Sequence, residues 1–227
     1  THGPRAAARQ ARATAVAMLA ALLAACSSTP PPPDWQVNAH GSLERAVAAH
    51  LSGDARVATL EFDRARADIA RTGRIDLMAR AELVRCAAQL ASLVDEPCVG
   101  FEALRADAPP AEQAYADFLR GRLSADRIEL LPPQHRPVAR PSAGVAADLA
   151  LLQGMADPLS RLVASAVWLR DGRATLTIVD ASIDNASAQG WRRPLLAWLG
   201  VQQKLAEVAG DRERADRAAL VLGGDKK

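Results

Sequence analysis

The chain has 227 residues, 49% of them apolar and 24% charged, with a mean hydropathy close to zero. These totals describe a globular chain and exclude both a disordered polymer and a polytopic membrane protein. The formal charge of +2 falls to −1 once Arg5, Arg9 and Arg12 are set aside, so no basic surface argues for a nucleic-acid partner.

Those three arginines open a segment of secretory design. Arg5 to Arg12 form a positive region without an acidic residue, Ala13 to Leu22 an apolar stretch, and small residues then follow. The apolar stretch is far short of the roughly 20 residues that span a bilayer, so a cleaved signal over residues 1–25 is expected rather than a permanent transmembrane helix. Leu23-Ala24-Ala25-Cys26 resembles the lipobox of bacterial lipoproteins. The resemblance implies that the Cys26 thiol receives a diacylglycerol and that cleavage makes Cys26 the first mature residue. The implied partner is then a membrane, held through the lipid on Cys26. Several acyl chains together anchor firmly where one alone is marginal. Ser27, in place of Asp, implies by the same resemblance an outer-membrane address facing the periplasm. Residues 26–34 contain four consecutive prolines, which favour a stiff polyproline II tether reaching roughly 25 Å over eight residues.

From Trp35 onward the pattern is helical, as an Ala-rich chain with few aromatic residues favours. Ala58, Phe62, Ala65 and Ile69 share one helical face, with Glu61, Asp63, Arg64, Arg66 and Asp68 on the other sides. Leu83, Cys86, Leu90 and Leu93 form a second stripe, and Leu195, Trp198, Val201, Leu205 and Val208 a third. Gly53, Gly73, Gly121, Gly172 and Gly210 stand where helices should stop in a left-handed residue. Residues 175–179 are rich in β-formers, yet Leu176, Val179 and Ile183 keep helical spacing, and a helix is predicted there. The fold class read from these patterns is all-α, built of helical hairpins. Residues 35–130 form an N-terminal helical region and residues 145–227 a C-terminal one. The proline-rich residues 131–144 between them read as a loop, with His135 in solvent.

Gly53-Asp54, followed by Ala58, Phe62 and Ala65, resembles the turn and second helix of a tetratricopeptide repeat. Gly210-Asp211 with Ala215 repeats the turn, and Gly172 lies 38 residues before Gly210, against a repeat period of about 34. The resemblance implies an α-solenoid whose helix pairs leave a groove. It lacks the usual Trp, Gly and Tyr, offering Ser42, Ala46 and Ala49 instead. True repeats and an irregular helical domain both remain open.

With Cys26 acylated, Cys86 and Cys98 are left in an oxidising compartment. Asp95-Glu96-Pro97 ends the helix that carries Cys86, and about five extended residues can retrace the roughly 10 Å covered by seven helical ones. A Cys86–Cys98 disulfide is therefore expected, the alternative being two buried thiols. No C-x-x-C, H-E-x-x-H, G-x-S-x-G or phosphate-loop motif occurs, and His40 and His50 are not spaced as metal ligands on one helical face. No catalytic, cofactor-binding or metal site is predicted. The leading expectation is a membrane-anchored interaction or scaffold module with an envelope protein as partner. An envelope enzyme such as a peptidoglycan hydrolase, and a structural lipoprotein without a discrete partner, remain as alternatives.

Overall fold

A computed structural model describes residues 31–224; Cys26 and the signal segment lie outside them. Within that range the chain is all-α, as predicted. The helices are α1 (Asp34–Ser52), α2 (Ala55–Ala70), α3 (Ile75–Ala91), α4 (Val99–Glu102) and α5 (Pro110–Leu119). Two 3-10 turns, Ala125–Leu130 and Pro133–His135, lead to α6 (Val145–Gly154), α7 (Pro158–Arg170), α8 (Leu176–Ala188), α9 (Arg192–Ala209) and α10 (Arg212–Gly224). The segment rich in β-formers is the start of α8. No helix among the described residues is long and apolar enough to cross a membrane.

The two Gly-Asp turns work alike. Gly53 (φ 98°) and Gly210 (φ 76°) take the left-handed conformation that a side chain would strain. The following aspartate then caps the next helix: Asp54 Oδ1 accepts the Val57 N–H at 3.0 Å, and Asp211 Oδ1 that of Arg214 at 3.1 Å. Each turn closes an antiparallel pair, α1 with α2 and α9 with α10.

Beyond those pairs the packing departs from a one-dimensional stack, in which each repeat touches only its neighbours. Helix α3 is the hub. It is buried on several sides and contacts α1, α2, α4, α5 and α7, while α9 returns to touch α1. Trp198 of α9 is fully buried, and its Nε1 donates to the Ala91 carbonyl at 3.1 Å, satisfying one of the free carbonyls at the end of α3.

Cys86 on α3 and Cys98, just before α4, are joined in a disulfide with a Cα separation of 5.8 Å. In the chain-entropy view, closing so short a loop stabilises by about 3 kcal/mol.

Three corrections to the sequence reading concern burial. Glu61, predicted on a solvated side of α2, is buried against Arg45 of α1 and Arg64. Its carboxylate stays charged inside because guanidinium groups reach in from the surface. Buried carboxylates paired with arginines recur along the chain. Glu82 of α3 is fully buried and takes Arg66 of α2 and Arg85, and Glu112 of α5 takes Arg80 of α3. A Cβ at Gly100 would overlap the Glu82 carboxylate, so this glycine lets α4 lie against the ion pair. Val208, predicted as the last member of a buried stripe, is 88% exposed, although Ala206 in the same turn of α9 is fully buried.

The third correction is His135, expected in solvent and found only 2% exposed. The proline-rich segment is irregular, as predicted, but it packs as part of the core. Leu131 and Val138 are buried with α3, α5 and α7, and Trp168 Nε1 donates to the Val138 carbonyl at 3.1 Å. Burial of such a segment requires its backbone groups to find partners inside, and Trp168 supplies one.

Candidate functional site

The buried imidazole leads to the site. Helices α3, α5 and α7 and the proline-rich segment surround a cleft of about 410 Å³, within the range of small ligand pockets. Its walls are apolar, from Leu83, Val84 and Ala87 of α3, Leu131 of the segment, and Leu159 and Val163 of α7. His135 lines it, held among aromatic rings. Its centroid lies 5.1 Å from that of Phe118 and 5.6 Å from that of Tyr115. Leu130, Gln134 and Ala111 border the cleft and are exposed, so it opens to solvent on that side.

The charged groups around the cleft are already engaged. Glu112 accepts from Arg80 at 2.7 Å. Asp157 caps α7, accepting from Ser160 N at 2.8 Å and from Ser160 Oγ at 2.6 Å. One uncharged group is not: His135 Nδ1 is buried without a partner. Burial lowers the His135 pKa to about 4, against the opposing charge of Asp157, so the ring is neutral at pH 7. Burial also pushes the Tyr115 hydroxyl well above its usual range, with Asp157 adding to the effect. The cleft is thus bordered by a neutral imidazole, 2% exposed and with Nδ1 closed off from solvent, beside a neutral phenol.

A second hollow of about 280 Å³ lies among α1, α2, α3 and Arg193 of α9. Here His50 is held near pKa 4 by burial and by the Arg193 charge, while a hydrogen bond to the Ala88 backbone works the other way. Arg193 Nε donates to the His50 carbonyl at 2.8 Å, which ties α9 to the end of α1. Arg85 lies over the Phe62 ring at 4.6 Å, so much of this wall is closed by a cation–π contact.

Of the residues singled out in the sequence, Cys86 and Cys98 come together and neither borders the main cleft; Cys26 lies outside the described residues. The cleft residues went unrecognised. Asp157-Pro158 does carry a readable signal, a capping residue followed by proline in the first turn of a helix. Nothing in the sequence indicates that His135 and Tyr115 meet. Among the described residues, no group of three or more His, Cys, Asp or Glu side chains is placed to hold a metal ion. Compared with models of known protein families, with curated proteins and with solved structures, the chain matches none of them.

Proposed function

We propose that this chain is a bacterial lipoprotein of the cell envelope, anchored through a lipid on Cys26, whose helical body is a protein-interaction or scaffold module. The anchor rests on the resemblance of Leu23-Ala24-Ala25-Cys26 to a lipobox, behind a positive and then apolar leader. The observation that carries the interaction reading is the apolar cleft, which runs from the core to exposed Leu130 at its edge. A concave apolar site suits an inserted side chain, the arrangement in which one anchor supplies most of the binding energy. Arg80, more than half exposed at the cleft, is placed to set charge preference through its pairing with Glu112.

Photo-crosslinking amino acids tested in living cells check this reading. Probes at Arg80, Ala111 and Gln134, around the opening, should trap one or two discrete envelope proteins. Probes at Glu213 and Arg217, on the exposed side of α10, should trap neither. An even smear from all five positions, or no product from any, contradicts the interaction reading.

A further inference from the structure

The α1–α2 hairpin has an outer face that takes no part in the cleft. We propose that this face lies on the anionic surface of the membrane, with Val37, Val57 and Leu60 at the level of the lipid headgroups and Arg45, Arg64 and Arg71 on lipid phosphates. This rests on the Cys26 anchor proposed above and names the surface that the anchor brings to the bilayer.

Three observations select that occupant. First, the face is amphipathic and open. Phe62, Ala65 and Ile69 turn one side of α2 to the core, and the opposite side carries Val57, Leu60, Arg64 and Arg71. Val37 and Leu60 are 54% and 49% exposed. Between the two helices Val37, Gly41, Arg45, Arg64, Ala67 and Arg71 border a shallow groove. Apolar residues with arginines beside them are the composition of a helix lying in the plane of a membrane interface, where arginine stems cover apolar surface and their heads reach phosphates. Second, the charges are sorted by depth. Glu61 and Asp68, the carboxylates paired with these arginines, are 8% and 17% exposed, whereas Arg45, Arg64 and Arg71 are each more than half exposed. The acids lie beneath and the guanidinium groups outside, so the face is positive toward a partner and complements anionic lipid. Exposed Glu44 pairs with His40 and does not border the groove. Third, the tether from Cys26 to Asp34 reaches roughly 25 Å, and Val37 stands in the first turn of α1. A lipid on Cys26 therefore keeps this face beside the bilayer at a high effective concentration, where a weak attraction suffices. The groove is shallow, and a bilayer requires no matching shape of the kind that a folded partner does.

The test uses the full chain made in bacteria and reconstituted into vesicles, of phosphatidylcholine alone or of three parts phosphatidylcholine to one of phosphatidylglycerol. A genetically encoded dansyl amino acid stands in place of Leu60, or of exposed Leu220 on α10 as the control. In the anionic vesicles the Leu60 probe should shift to the blue and be quenched by brominated lipid at least about threefold more than the Leu220 probe. The shift should fade at about 1 M salt, which screens the arginines, while the chain stays on the vesicles through its lipid. Arg64→Gln combined with Arg71→Gln should lower the ratio of docked to undocked face at least about tenfold, since each arginine near the surface contributes about a fivefold preference. Glu61 keeps Arg45 in that variant, so the hairpin retains its buried pair. Arg212→Gln with Arg217→Gln, on α10, should leave the ratio unchanged. Equal signals from the two probes, or a Leu60 shift that survives both salt and the double substitution, overturn the proposal. A Leu60 probe that stays solvated on the vesicles and shifts only when poly-glutamate is added overturns it in favour of an acidic protein partner. A chain that floats only with the anionic vesicles, and shifts the Leu60 probe there, upholds the face and fails the lipid anchor instead. A chain that floats with neither composition fails both.

Discussion

Trp198→Ala is expected to destabilise the protein by about 3–5 kcal/mol, the usual cost of removing a large buried aromatic residue. The position combines two losses. Trp198 is fully buried in the main core, and its Nε1 satisfies the Ala91 carbonyl at the end of α3. Alanine leaves both a cavity and an unpaired carbonyl where α9 meets the central helix. Val208→Ala is the matched control, from the same predicted stripe and the same helix. Being 88% exposed, Val208 should contribute no more than about 0.5 kcal/mol. Urea unfolding followed by circular dichroism separates the two outcomes. Similar midpoints for both variants would mean that α9 is not seated against α3.

The second large effect is a dependence on acid. His135 has a pKa of about 4 in the folded protein, because burial disfavours its charged form. In the unfolded chain an ordinary histidine titrates near 6.5. The unfolded state therefore takes up the proton first as pH falls, and acid drives unfolding. Stability from the neutral ring is complete above about pH 6.5 and is lost progressively down to about pH 4. The full loss corresponds to about 3 kcal/mol, at 1.36 kcal/mol per pH unit. His135→Phe removes the titration and keeps an aromatic ring between Phe118 and Tyr115. Subtracting its stability curve from that of the wild type cancels the contributions of His50 and of the paired carboxylates. The difference should be flat above pH 6.5 and grow against the wild type between pH 6 and pH 4. Parallel curves over that range would show that His135 is not held neutral by burial.

Much of the fold was legible from local pattern, and the particulars show why. Phe62, Ala65 and Ile69 are buried as their spacing predicts, and Leu83, Cys86 and Leu90 likewise, because the period of a helix is a local property. The glycine stops were legible for the same reason, and all five have positive φ. The disulfide followed from a helix end between two cysteines. The third stripe failed at Val208, since periodicity tells which face is apolar but not which of its positions a neighbour covers. Glu61 and Glu82 were hidden for a different reason. Each pairs with an arginine sixteen positions earlier on the preceding helix, a relation that exists only once the helices are packed side by side. The cleft was the least legible feature. His135 lies in a segment of prolines without apolar period, which read as solvated, and its burial depends on Trp168 and Phe118 from helices distant in sequence. Turns joining two helices do stand at Gly53-Asp54 and Gly210-Asp211, and the aspartate caps that close them were not part of the sequence reading. The contacts of α3 with α7 and of α9 with α1 are long-range facts that no turn motif contains.

Metabolic labelling with a fatty-acid probe in bacteria tests the anchor, on which the proposed function depends, most directly. Only three cysteines are present, and Cys86 and Cys98 are bonded to each other, so Cys26 is the one cysteine outside the disulfide. The wild-type chain should carry the probe and sediment with the membrane fraction. Cys26→Ser should carry none, while a protein lacking both Cys86 and Cys98 should remain labelled. A Cys26→Ser chain that still carries lipid, or a wild-type chain that never does, would contradict the account.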